Sequence, residues 1–414
     1  IDTERGGLGF TTAIAGEIYG TYMAFVYFTP FVGGMIADRL LGYRRSVLIG
    51  GLLLATGIGL LLGLLSKESA LAWCVFIPLY ALSLDAHRGG ALRASLRRQL
   101  LPLLGQLCRE EHIEGTLERE LWEIYLPFAQ WIIRRSSLVQ QQRRGAFVLG
   151  INGAQGSGKT TINHILQLIL RAGFNKKVVG FSIDDLYDTY ERRLEKGKEI
   201  SPILARIRGP GTHDLDLGID ILDRLIEGET TRIPRFDKSL ANNQGDRVPE
   251  SGWLEVTEAQ DIVLFEGWNL GEAPFPENEL DRRFEKLCHA VGFRQWRDYY
   301  VAKLKDTEAG YAALFNRLDN LVMIRIRDFS DVYANREQAE AKLRQRIADD
   351  EKAGKSTAGI SAMSQEEVRT FVDHYEPWTL HMLQEMPARA DLVLWMGAAH
   401  RIMRITVNSA SQRR

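Results

Sequence analysis

Near the middle of the chain, Gly150-Ile-Asn-Gly-Ala-Gln-Gly-Ser-Gly-Lys-Thr-Thr161 brings together the residue types that grip a polyphosphate. Within it Gly153, Ala154, Gln155, Gly156, Ser157, Gly158, Lys159, Thr160 and Thr161 carry the spacing G-x-x-x-x-G-K-[ST] without a mismatch. Glycines there let backbone N–H groups close around phosphate oxygens, and a helix starting at the loop adds its positive dipole end. Lys159 is placed to neutralise the β and γ phosphates, and the Thr160 hydroxyl to ligate Mg²⁺. A glycine-rich turn with a stray lysine is the bland alternative. The nucleotide reading requires a strand before the loop and a helix after it, and the runs Ala146–Leu149 and Ile162–Leu170 supply both.

Phosphoryl transfer also needs a carboxylate that positions metal, a base for the acceptor, and cations for the charge on the moving group. Two acidic positions follow predicted strands, where ligands of open α/β sheets collect. Asp184-Asp185 follows the strand ending at Ile183. Asp184 is placed to take the proton of an attacking hydroxyl or to hold Mg²⁺ through water, with Asp185 pointing elsewhere. Glu266, after Ile262-Val-Leu-Phe265, takes the place of a Walker B acid, with Gly267 turning the backbone away and Trp268 capping the site. The insertion between the second and third strands holds Arg208-Gly-Pro-Gly-Thr-His213-Asp214, Pro234-Arg235-Phe-Asp237-Lys238-Ser239 and Gly245-Asp-Arg247. Guanidinium binds carboxylate bidentately, so Arg208, His213, Arg235, Asp237, Lys238 and Arg247 are the candidate contacts to a small anionic acceptor. A solvated loop with ordinary ion pairs is the competing reading of this insertion.

The elements that must position these groups alternate as a parallel α/β sheet requires. Strands are predicted at Ala146–Ile151, Lys177–Ile183, Ile262–Phe265, Leu321–Ile326 and Leu392–Trp395, and long helices over 331–350 and 364–386. The expected fold is an α/β P-loop fold, with about five parallel strands flanked by helices, over 145–414. Before it, 86–144 is basic and helix-patterned, with Leu92, Leu96, Leu100, Leu103, Leu104 and Leu107 at helical spacing and Gln140–Arg144 as a polar connector. Residues 1–85 differ in kind. Ile18–Ile36 and Val47–Leu65 are uncharged runs of about 19 residues each, near the ~20 that span a bilayer, and Leu71–Leu84 is shorter and contains Pro78. Two or three transmembrane helices are expected there.

Composition bounds the partners. With 414 residues, a formal net charge of -1, 45% hydrophobic and 25% charged residues, the chain has the makeup of a globular protein and no global attraction to nucleic acid. Cys74, Cys108 and Cys288 form no CxxC pair, so neither a disulfide framework nor a zinc site is expected. Ile1 at the first position points to a fragment or a processed start, and no secretory signal precedes the first apolar run.

Two resemblances follow. Tyr27-Phe-Thr-Pro30-Phe-Val-Gly33-Gly34-Met-Ile-Ala37-Asp38-Arg39-Leu-Leu-Gly42-Tyr-Arg44-Arg45 resembles the second and third transmembrane helices of proton-coupled oligopeptide transporters of the major facilitator superfamily. Alternating access needs about a dozen spans, so the resemblance implies a transporter-like fragment and a membrane attachment rather than transport. From Gly145 to about Ile405 the chain resembles the D-glycerate 3-kinase group of P-loop kinases, which sits with phosphoribulokinase, uridine kinase and bacterial pantothenate kinase. The motifs are the phosphate loop, Phe181-Ser-Ile-Asp-Asp-Leu-Tyr187, Pro210-Gly-Thr-His-Asp214, Pro234-Arg-Phe-Asp-Lys-Ser239, Gly245-Asp-Arg247, Leu264-Phe-Glu-Gly-Trp268 and the stretch from Met363 through His374-Tyr-Glu-Pro377.

This second resemblance implies an enzyme that uses ATP and Mg²⁺. Lys159 and the loop glycines would hold ATP, Thr160 and Glu266 would serve the metal, and Asp184 would act as base. A lid after the fourth strand would bring Arg336 to the phosphates, although Asn335 stands where the family usually has tryptophan. The expected reaction is D-glycerate to 3-phosphoglycerate. Pantothenate, uridine or a sugar phosphate as acceptor remains an alternative, as does a membrane transport protein with a regulatory P-loop domain. The kinase part is expected in the cytoplasm, membrane-associated if the N-terminal segment is native.

Overall fold

Strands made of uninterrupted apolar residues need cover on both faces, which a parallel sheet between helices provides. The computed structural model describes residues 94–111, 113, 115–143, 145–285, 289–352, 362–397 and 401–408. The chain divides into two units, 1–97 and 98–414, and the description below is of the second. The apolar runs at 18–36, 47–65 and 71–84, and the transporter-like stretch, lie outside the described residues. Among the described residues no helix is long and apolar enough to cross a membrane.

The strands in chain order are β1 Phe147–Gly153, β2 Val178–Ser182, β3 Thr231–Ile233, β4 Phe236–Asp237, β5 Asp246–Arg247, β6 Leu254–Val256, β7 Ile262–Gly267, β8 Asn320–Arg325, β9 Leu392–Met396 and β10 Ile402–Val407. The main sheet runs β10-β9-β8-β1-β7-β2. β9, β8, β1, β7 and β2 are parallel, as the alternation predicts, and β10 adds antiparallel to β9. That sixth strand, Ile402-Met-Arg-Ile-Thr-Val407, is only partly buried, and Arg404 and Thr406 interrupt its apolar residues. Registers decide where the chemistry lies: Glu266 on β7 pairs with Ile151 of β1 on one side and Ser182 of β2 on the other. The phosphate loop, Glu266 and Asp184 therefore meet at the C-terminal edge of three adjacent strands.

The helices used below are α1 over 94–110, α2 Leu126–Gln142, α3 Lys159–Leu168, α4 Tyr190–Glu199, α5 Leu215–Glu227, α6 Phe293–Lys305, α7 Ser330–Lys352 and α8 Gln365–Arg389. The connector predicted at Gln140–Arg144 is instead helical as far as Gln142, because α2 continues to the edge of β1. At the start of α8, the Ser364 hydroxyl accepts from the Glu367 N–H while the Glu367 carboxylate accepts from the Ser364 N–H. That reciprocal cap fixes the helix end against its own unsatisfied donors. The hairpins β3–β6 and β4–β5 form the insertion beside β2.

Trp268, expected to cap the site, is buried in an aromatic cluster at the sheet face. Its ring meets Tyr375 and Trp378 edge-on, and Trp378 in turn packs on Phe284, Trp296 and Tyr300. Under the same cluster, Tyr300 OH donates to Glu272, whose carboxyl is only 5% exposed. Burial pushes Glu272 up to about 8, opposed by the Tyr300 hydrogen bond. The folded state thus holds a proton that the unfolded chain releases near pH 4.5, and stability falls as pH rises from there toward 8. The loss is at most about 1.4 kcal/mol per pH unit. Thermal unfolding of Glu272→Gln should show that slope flattened between pH 5 and 8. A wild-type midpoint independent of pH in this window would contradict the buried neutral carboxyl.

Candidate active site

β1 ends at Gly153 and α3 begins at Lys159, so the intervening turn faces the sheet's C-terminal edge. Gly156 has φ +70°, and a Cβ there would lie 2.7 Å from the Asn335 Cβ on α7. Glycine is thus required twice, for the backbone and for the approach of the helix. Lys159 Nζ donates to the Ala154 carbonyl at 3.0 Å, within the loop. Burial lowers the Lys159 pKa, against the charges of Glu266 and Asp184. Behind the loop, buried Asn152 donates to the Trp268 and Leu270 carbonyls and ties β1 to the turn after β7.

Thr160 Oγ1 donates to Glu266 Oε1 at 2.8 Å, while Glu266 Oε2 is buried with no hydrogen-bond partner among the described residues. Burial raises the Glu266 carboxyl, and Lys159 opposes this. A hydroxyl and a carboxylate with an unsatisfied oxygen form a hard-oxygen donor set suited to Mg²⁺, which is bound by one or two carboxylates together with substrate phosphates. The residues present fit that ion.

Asp184 and Asp185 divide as expected. Asp185 accepts from the Ser182 and Phe236 N–H groups at 3.1 and 3.2 Å, fastening β4 to the end of β2. Asp184 takes Lys238 Nζ at 2.9 Å. Burial would raise its carboxyl, but the Lys238 charge and hydrogen bond, with Lys159, hold it below the ordinary carboxylate range. Asp184 is therefore ionised at neutral pH.

The insertion places the other candidates unevenly. Arg208 and Arg247 turn inward: Arg247 Nη2 donates to the Tyr187 carbonyl at 2.9 Å and to Asp214 at 3.1 Å. Arg208 Nη1 and Arg247 Nε are buried without hydrogen-bond partners among the described residues. Gly245, with φ +74°, makes room for Arg208, since a Cβ there would lie 2.7 Å from Nη1. His213 is 2% exposed and stacks on Tyr187 at 4.4 Å. By contrast, Arg235 is exposed, and Asp237 accepts from the Ser239 N–H and hydroxyl at 2.8 and 2.6 Å, closing its own turn. Arg336 lies on α7 next to Asn335 and pairs with Glu340 at 2.5 Å. Tyr375 marks the convergence: its hydroxyl donates to the Arg208 carbonyl at 3.0 Å, and burial, then the charges of Arg208, Asp184 and Arg336, act on it.

Comparison with known proteins follows this geometry. Residues 148–270 match the Phosphoribulokinase / Uridine kinase family. The "Uncharacterized kinase mug58" of Schizosaccharomyces pombe is 34% identical over 56% of this chain and 79% of its own length. The chain belongs to the phosphoribulokinase/uridine kinase family. The chloroplastic D-glycerate 3-kinase of Arabidopsis thaliana is 32% identical over 66% of this chain, and the match spans 58% of that enzyme's length. The solved D-glycerate 3-kinase of Cryptococcus neoformans shares the fold at a TM-score of 0.56 and 22% identity, covering 69% of this chain and 99% of its own.

The family match takes in the phosphate loop, Asp184, the whole insertion and Glu266. It leaves out Arg336, Tyr375 and the wall that residues 111–125 and 396–402 give to a cavity of about 360 Å³ beside the loop. Ser157, Gly158 and Thr161 open onto that cavity, and Ile113, Leu117, Ile124, Tyr125, Met396 and Ile402 give it apolar walls. Two residues of this kinase site escaped the sequence motifs. Arg193, 1% exposed on α4, donates to the Gln244 carbonyl at 2.9 Å and also to that of Gly245. Tyr311 supports the Gly211–His213 loop from a short helix about a hundred positions downstream. A basic residue on a polar helix and a tyrosine in a short apolar run carry no local signal of either role.

Proposed function

We propose that the chain is an ATP- and Mg²⁺-dependent kinase that phosphorylates a hydroxyl of a small carboxylate, with D-glycerate giving 3-phosphoglycerate as the leading reaction. The observation that carries this reading is the ionised Asp184, which follows β2 and bonds Lys238 within the charge field of Lys159. The cavity beside the phosphate loop pairs apolar walls with Glu111, Glu120, Lys342 and Arg401, a mix that suits a planar base with polar edges. The buried N–H groups of Arg208 and Arg247 suit an anionic acceptor, because unpaired donors in that setting are costly until a carboxylate meets them.

In the reaction, the acceptor hydroxyl gives its proton to Asp184 as its oxygen bonds to the γ-phosphorus. The bond from that phosphorus to the β–γ bridging oxygen breaks, and ADP leaves with the electron pair. Lys159 and Arg336 are the cations available to the developing charge on the transferred group. Thr160 and Glu266 would hold Mg²⁺, which supplies charge neutralisation of the phosphate oxygens.

The test is ADP release over D-glycerate, pantothenate, uridine and ribulose 5-phosphate. Turnover with D-glycerate is expected; turnover only with another acceptor would overturn the substrate assignment. Arg208→Met should raise the acceptor KM roughly tenfold to a hundredfold, with the ATP KM nearly unchanged. An equal rise in both constants would mean that Arg208 supports the fold rather than the acceptor.

A further inference from the structure

His213 makes a chain of contacts that the kinase reading alone does not require. Its loop is pinned beside β2 by two backbone hydrogen bonds, Asp188 N–H to the Thr212 carbonyl at 2.8 Å and Asp214 N–H to the Leu186 carbonyl at 2.7 Å. The imidazole then lies flat on Tyr187, and Tyr311 meets its edge at 90°. The Gly211 N–H donates to the Tyr311 hydroxyl at 2.7 Å, and that hydroxyl stands 2.6 Å from His213 Nδ1.

Hydrogen-bond accounting fixes the tautomer. The Tyr311 oxygen already accepts from Gly211, so its single proton needs an acceptor, and Nδ1 is the partner at hand. The opposite arrangement, with Nδ1–H donating, would strand the hydroxyl proton in a buried site. Nδ1 is therefore bare and Nε2 carries the hydrogen. Burial holds the ring neutral, pushing its pKa down to about 3; Asp184 opposes this and Lys196 reinforces it. Nε2–H points away from Tyr311, is buried, and has no hydrogen-bond partner among the described residues. A buried donor left unmade costs the desolvation of that group, so a partner arriving from outside the chain would be favoured. Of the charged groups acting on the ring, Asp184 is the foremost.

We propose that His213, held by Tyr311 as the Nε2–H tautomer, donates to an oxygen of the acceptor substrate beside Asp184 and is a specificity-determining residue, with Tyr311 as its positioning residue. This rests on the kinase reading above. The acceptor is one that presents an oxygen with a free lone pair there, a carboxylate, carbonyl or hydroxyl oxygen, since a donor-only atom rejects a second N–H donor. Unlike the guanidiniums, a neutral donor adds direction without charge.

The experiment joins kinetics with ¹⁵N-histidine NMR of the full chain. In the resting wild type, His213 should show a bare Nδ1 and a protonated Nε2 that do not titrate between pH 5 and 8, and Nε2 should shift on adding D-glycerate. His213→Ala should raise the acceptor KM roughly tenfold or more with the ATP KM within about twofold, and His213→Gln, which keeps an N–H, should recover most of it. Tyr311→Phe should mix the tautomers and raise the same KM by a smaller factor. A protonated Nδ1 in the wild type, or an unchanged acceptor KM in a folded His213→Ala, would overturn the proposal. If His213→Ala does not fold, the wild-type tautomer and the Tyr311→Phe kinetics decide it. Wild-type protein that turns over no acceptor refutes the kinase reading and this inference with it; turnover without a glycerate-induced Nε2 shift refutes this inference alone.

Discussion

Replacing Asp184 by asparagine should lower kcat by about 10²–10⁴ while ATP binding stays nearly unchanged. Asp184 is held ionised by the Lys238 and Lys159 charges against its burial, and it follows the end of β2. The amide keeps the shape but cannot take the proton. Because the carboxyl sits below its ordinary range, its contribution to stability is present above the unfolded value of 3.8 and is lost as pH falls through the lower folded value. That contribution is small, since Lys238 is 65% exposed and its ion pair is screened. Asp184→Asn should therefore unfold at nearly the wild-type temperature at pH 7. Calorimetric titration with ATP and single-turnover assays separate the two roles; an equal loss of nucleotide affinity would show that Asp184 serves the metal rather than the acceptor hydroxyl.

Lys159→Ala is expected to cost both steps, with kcat down about 10²–10³ and ATP affinity weakened as well. Its ammonium now bonds the Ala154 carbonyl and lies within the charge field of Glu266 and Asp184. Removal leaves two carboxylates facing each other with less cation between them, and leaves the phosphates without their point charge. Lys159→Arg should not restore activity, because a planar guanidinium is too broad for a cradle closed by Gly156 against Asn335. Full activity in that variant would show that the loop is wider than its resting geometry.

Much of this site was legible because its signals are local. The phosphate loop is a fixed spacing, and Asp184 and Glu266 follow apolar runs that end abruptly in acid. The parallel strands were legible for the same reason, each being a run of residues buried on both faces. What escaped depends on contacts distant in sequence. Arg193 and Tyr311 act on loops 51 and 98 positions away, and no periodicity records such a pairing. Trp268 is buried against Tyr375 and Trp378, and an aromatic after a strand looks the same in the sequence whether it lines a site or fills a core. β10 gives a weaker signal than the central strands because Arg404 and Thr406 break its apolar run, as an edge strand with one side in solvent allows.

The cavity beside the phosphate loop takes one wall from residues 113–125, ahead of the point where the family match begins. With the base in that cavity, as proposed above, the smallest piece able to tell one nucleotide from another is longer than the piece that family membership outlines. A chain cut at residue 97, between its two units, keeps that wall, whereas one cut at 144 keeps every catalytic candidate and loses the surface against which a base would rest. The second should still hold inorganic triphosphate in its loop while no longer telling adenosine from bare phosphate.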